Sequence, residues 1–187
     1  MVGPLWTPQA HDNQCMVRML LLAVMASNLL TACSPALNWR EVRIGDAGVK
    51  AMLPCKPDHA QRKVALAGRS FEMEMLGCES GAALFAISRV NVESTGALQE
   101  VQASWQASSL AAMRAEGAQG QAHQLKHAAQ QPAPLHLAAQ GSRPDGRPIA
   151  LQALWFAQGH YLYHAAVYAE KISVEMSGPF FSGLELP

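Results

Sequence analysis

Charge imbalance is the first thing missing from this sequence. Lys and Arg number 14 and Asp and Glu number 14, for a formal net charge of zero at pH 7. No Lys/Arg cluster gathers anywhere along the chain. A nucleic-acid partner needs a positive field against its phosphates, so none is expected. There is no HExxH, and the four cysteines show no CxxC spacing, which removes the common zinc arrangements. A GxSxG nucleophile elbow is absent, and no glycine-rich loop stands between a strand and a helix to cradle phosphate. Ser108 and Ser109 fall in a helical stretch with no base in view. The expectation is a chain that is not an enzyme, with no catalytic residues, no metal and no cofactor. Internal repeats are missing too, and no apolar run reaches the roughly 20 residues of a membrane-spanning helix.

What is present begins with residues 16–39, MVRMLLLAVMASNLLTACSPALNW. Met16-Val17-Arg18 is a short positive start, and Met19 to Leu30 is an apolar core broken only by Ser27 and Asn28. Leu30-Thr31-Ala32-Cys33 closes it. This closing tetrad resembles the lipobox of bacterial lipoproteins. The resemblance implies cleavage before Cys33, a diacylglycerol thioether on Cys33 and an acylated new amino terminus. Several acyl chains anchor stably where one alone binds weakly. The other readings are an ordinary signal peptide with an incidental cysteine, or an uncleaved anchor. Ser34 stands where that family uses Asp for inner-membrane retention, so the outer membrane is expected. Residues 1–15 fit no part of a signal, and Met16 is the expected true start. The organisation expected is 1–32 as upstream extension and removed signal peptide, 33–39 as lipidated N-terminus and linker, and 40–187 as a single domain. Arg18 and Asp12 are the only Lys, Arg, Asp or Glu before Cys33, so the remainder also has no net charge.

With Cys15 in the upstream extension and Cys33 lipidated, Cys55 and Cys78 remain. An even pair in an exported chain points to a disulfide; the rival reading is a pair of free thiols.

Further along, residues 39–54 read as two short strands around Gly45-Asp46-Ala47-Gly48. Pro54 and Pro57 end the second, and residues 58–68 read as a polar loop. Phe71, Met73 and Met75 alternate with Glu72 and Glu74 in a strand over 70–78, and 82–92 is the next. The two glutamates read as that strand's solvated side. Residues 97–116 predict the one long helix, with Leu98, Val101, Trp105 and Ala112 on one stripe. Ser94 or Thr95 is its expected cap, Gly117 its expected left-handed stop, and Trp105 a core anchor. A weak strand is expected near 123–129. Three strands follow: one around Leu135, Leu137 and Ala139, then 149–157 and 160–168. A Gln158-Gly159 turn would set Trp155 opposite Leu162 and Phe156 opposite Tyr161, with both hairpin faces apolar and mid-sheet. A short helical piece and a closing strand end the chain. Strands, one long helix, strands and a short helix argue an α+β fold: an antiparallel sheet with a long helix and a short C-terminal helix packed on it.

Six histidines follow Cys33: His59, His123, His127, His136, His160 and His164. Two pairs are four apart, but no third ligand converges on either. Trp155, His160, Leu162 and His164 form a candidate ligand pocket beside small Ala153 and Ala157.

Residues 53–58 (LPCKPD), 77–78 (GC) and the Phe-Phe-x-x-Leu of 180–184 resemble a family of uncharacterised beta-proteobacterial lipoproteins. The layout is similar, at fold level, to the PsbP-like α/β/α sandwich. The resemblance transfers no activity, because fold does not fix function. The expectation is a periplasm-facing envelope lipoprotein, held to the membrane by its lipid, acting as a non-catalytic interaction or accessory module with an envelope protein partner. The alternative is a small-ligand-binding lipoprotein using the 149–168 hairpin face.

Overall fold

The computed structural model describes Gly3, residues 37–46 and residues 48–187. Cys33, the lipobox-like tetrad and the signal segment lie outside the described residues. From residue 37 onward the described residues belong to one compact unit.

That unit has three layers. The middle layer is a seven-stranded antiparallel sheet ordered β3-β4-β5-β9-β8-β7-β6. Its strands are β3 (Asp58–Leu66), β4 (Arg69–Ser80), β5 (Ala83–Asn91), β6 (Ala118–Ala122), β7 (Leu135–Ser142), β8 (Pro148–Gln158) and β9 (Tyr161–Ala169). On one face lies a separate two-stranded sheet of β1 (Arg40–Ile44) and β2 (Val49–Leu53), with helix α2 (Val174–Ser182). On the other lies helix α1 (Leu98–Ala112), entered through a 3₁₀ turn at Thr95–Ala97. The α+β architecture, an antiparallel sheet with one long and one short C-terminal helix, is therefore present.

Side-chain alternation divides the core in two. Ile44, Val49, Ala51, Leu53 and Phe180 pack on Phe85, Ile87, Leu154, Phe156, Tyr163, Ala165 and Val167. Leu98, Val101 and Trp105 of α1 pack on Met73, Val90, Leu151, Ala153, Trp155, Leu162 and Ala166. Trp105 is only 5% exposed, a core residue as its place on the apolar stripe implies.

Several local expectations are corrected. Residues 58–66 are not a loop but edge strand β3, whose first six residues are all exposed. A strand bare on both faces carries no apolar alternation, so its sequence looks like a loop. The weak strand falls at 118–122 rather than 123–129, for the same reason: β6 is exposed throughout. The 158–161 turn is one residue later than expected. Gln158 pairs with Tyr161, Trp155 with His164 and Phe156 with Tyr163. Gly159 therefore takes the first turn position, where its φ of +57° suits a turn needing positive φ there. Moving a turn by one residue shifts the pairing by two, so each side chain keeps its face. Trp155, Phe156, Leu162 and Tyr163 are all fully buried.

Helix α1 starts without a side-chain cap, on Ala97. It ends at Met113 rather than running to Gly117. Arg114 takes φ +48°, Ala115 N–H donates to Leu110 C=O, and Arg114 N–H donates to Ala111 C=O. This is a Schellman stop with arginine in the position glycine usually fills. For α2, Ser173 accepts from Met176 N–H at 3.3 Å. The closing strand reduces to one bridge, Glu185 to Lys50 of β2.

Candidate functional site

Cys55 and Cys78 form a disulfide, with Cα atoms 5.9 Å apart. The expected pairing is present, but the two flanking strands are not neighbours in one sheet. Cys55 follows β2 in the small sheet and Cys78 lies in β4 of the large one. The bond staples one layer to the next.

The hairpin residues divide. Trp155 is fully buried, Leu162 likewise, and His164 is 7% exposed. The His164 imidazole stacks on the Trp155 indole at 4.4 Å and 17°, and meets the Trp105 ring edge-on at 5.2 Å. Burial pushes His164 down to about 3, so at neutral pH it is uncharged packing between two indoles. His160 stands apart, exposed in the turn. Three of the four residues thus join in the core under α1. Of the other histidines, His123 and His136 lie 6.2 Å apart between ring centres. Burial first, and His123 second, lower His136. Among the described residues no group of three His, Cys, Asp or Glu is placed to hold a metal.

Glu72 is solvated as expected, but Glu74 is not. It accepts from Arg89 Nε at 2.6 Å and meets His59 Nε2 at 3.0 Å. Burial alone would raise the Glu74 carboxyl; the bonds and charges of Arg89 and His59 outweigh it and hold it low. The Arg89 guanidinium lies 4.7 Å from the Tyr161 ring centre. A Cβ on Gly45, in the β1–β2 turn, would overlap that guanidinium. Glycine there lets the hairpin lie down on Arg89, so this ion pair is part of the joint between the two sheets.

A feature the sequence reading missed lies beside α1. Gln99, Gln102 and Gln106 recur at spacings of three and four, on one side of the helix. With Gln130, Gln131, Pro132, Ala133 and Leu135 they line a cleft of about 570 Å³. Five glutamines line it and no charged residue does. Gln102 is 6% exposed, and its buried Oε1 has no hydrogen-bond partner. An unpaired buried carbonyl oxygen costs about 1–3 kcal/mol, which an O–H or N–H donor of a neutral ligand would recover if the side chain turned toward the cleft. The legible signal was the Gln-x-x-Gln-x-x-x-Gln spacing inside an otherwise apolar-striped helix.

No family model and no curated protein matches the chain. Among solved structures it is similar to PA94, a protein of unknown function from Pseudomonas aeruginosa. The TM-score is 0.37 and the identity 15%, over 75% of this chain and 89% of that one. A likeness of that size carries no argument.

Proposed function

We propose that the chain is a lipid-anchored module of the bacterial envelope, acting by binding rather than catalysis. The Cys55–Cys78 disulfide is the observation that carries this reading, because such bonds persist in oxidising compartments outside the cytosol. Leu30-Thr31-Ala32-Cys33 supplies the anchor, and Ser34 favours the outer membrane, facing the periplasm. The resemblance to beta-proteobacterial lipoproteins agrees with this placement. The order of helix, sheet, and hairpin with helix supports the PsbP-like reading of the fold. An envelope protein is the partner this reading calls for.

The alternative, small-ligand binding, draws no support from the hairpin face, where Trp155, Leu162 and His164 fill the core. Its support comes from the glutamine cleft and the unpaired Gln102 Oε1. One preparation from intact cells tests both readings. Intact-mass analysis should find a lipid-modified N-terminal Cys33 in the membrane fraction, and Cys33→Ala should abolish processing. A soluble product with unmodified Cys33 sinks the anchored module. Native mass spectra of the same sample should show a retained neutral ligand, lost in Gln102→Ala, only if the alternative holds.

A further inference from the structure

We propose that two copies of this chain pair through β6, joining their seven-stranded sheets edge to edge. The argument begins with the strand's backbone. Among the described residues β6 has one strand neighbour, β7, and its other side is the end of the sheet. His123 N–H donates to Pro134 C=O, in register with the ladder that pairs Ala122 with Leu135 and Gly120 with Leu137. In an antiparallel ladder the residues that exchange hydrogen bonds with a given neighbour alternate. His123, Gln121 and Gln119 therefore turn their amides and carbonyls toward β7. Ala118, Gly120 and Ala122 turn theirs outward, with no strand to receive them.

The residues of the strand supply the occupant. β6 reads Ala118-Gln119-Gly120-Gln121-Ala122, the same in both directions about Gly120. An antiparallel second copy, related by a twofold axis at Gly120, sets Gly120 opposite Gly120, Ala118 opposite the partner's Ala122, and Ala122 opposite the partner's Ala118. All three are outward-bonding positions, so each exchanges a pair of N–H···O=C bonds. Gln119 then lies across from the partner's Gln121, on the sheet face opposite α1, where two carboxamides each donate and accept. No charge stands on either strand, so no repulsion opposes the approach. A twofold contact needs a surface complementary to itself, and a palindromic neutral strand meets that condition in its backbone and its side chains. The contact is small, which makes the dimer weak and concentration-dependent. It stands apart from where the protein resides.

The test uses the chain from Ser34 to Pro187, exported behind a signal that leaves no lipid, so that neither acyl groups, nor the apolar segment 19–30, nor Cys15 contributes to association; residues 37–187 belong to one compact unit. Sedimentation velocity up to concentrations on the order of 100 µM should show a monomer–dimer equilibrium. Gln119→Lys with Gln121→Lys, which sets cations opposite each other without touching the outward amides, should shift it to monomer with an unchanged circular-dichroism spectrum. Gly120→Cys should give a disulfide-linked dimer on mild oxidation, because the paired Cα atoms would lie about 5.5 Å apart. A monomer across the whole range overturns the proposal. So does a dimer that persists in the double-lysine variant, or a Gly120→Cys chain that stays uncrosslinked.

Discussion

β3 closes one end of the seven-stranded sheet with Asp58, His59, Arg62 and Lys63 in the solvent. β6 closes the other with alanine, glutamine and glycine alone. Both strands are bare on nearly all their residues, yet only the first is guarded. Charges along an edge resist the addition of another strand, because a second copy would bury or repel them. The β3 end is also tied down. Cys55 and Cys78 stand 23 positions apart, and the loop they close includes the whole of β3; Glu74 on β4 holds both His59 and Arg89. No such ties appear at β6 among the described residues. One end of the sheet is built to be an end, and the other is built as a place where pairing can continue.

The sharpest way to break this contrast is to remove the staple. Cys55→Ala with Cys78→Ala should lower stability by about 3 kcal/mol on the chain-entropy account. The loss should be local before it is global. Amides of β3 and β4 should exchange faster in native conditions, while those of β7 and β8 keep their protection. A uniform rise across all strands would mean that the bond does not distinguish the two ends.

The centre of the sheet should respond alike at both ends. His164, lowered to about 3 by burial, is neutral in the folded state, whereas the unfolded chain titrates it near 6.5. As pH falls below that value the unfolded state takes up the proton and the folded state does not, so stability falls with pH. At pH 5 the loss relative to neutral should be about 2 kcal/mol. His136, also lowered, adds a smaller slope of the same sign. Denaturant midpoints between pH 7 and 5 measure it. His164→Phe, which keeps a ring between Trp155 and Trp105, should flatten most of the slope; an unchanged slope would assign it elsewhere.

The same contrast explains what was legible in the sequence. Strands β4, β5, β8 and β9 announce themselves because burial on one or both faces demands apolar residues at fixed spacing. Trp105 is legible for the same reason. β3 and β6 bury almost nothing, so their residues are free to be polar; one reads as a loop and the other is displaced along the chain. The disulfide was legible by elimination, but not its role between layers, since nothing in sequence assigns β2 to a separate sheet. Hairpin faces survive a turn error because a shift of two preserves them. The glutamine cleft was not read, because its chemistry needs the loop at 130–133 brought against α1.

The smallest effect on stability belongs to the charges of β3, and it tests the contrast most directly. Arg62 and Lys63 are exposed and make no ion pair with a described residue. Arg62→Gln with Lys63→Gln should therefore change stability by less than about 0.5 kcal/mol. Their suggested work is against association. An antiparallel copy centred on Arg62 would face one guanidinium with another and stand Lys63 opposite the partner's Gln61 on the other sheet face. Removing both cations removes that repulsion while leaving the strand in place. Made in the background of Gln119→Lys and Gln121→Lys, where the β6 edge is closed, the neutral β3 variant should show new concentration-dependent self-association by sedimentation velocity. It should reverse when Arg62 alone is restored. If the neutral variant stays monomeric, charge is not what guards this edge, and the tie through Cys55–Cys78 becomes the feature that separates the two ends.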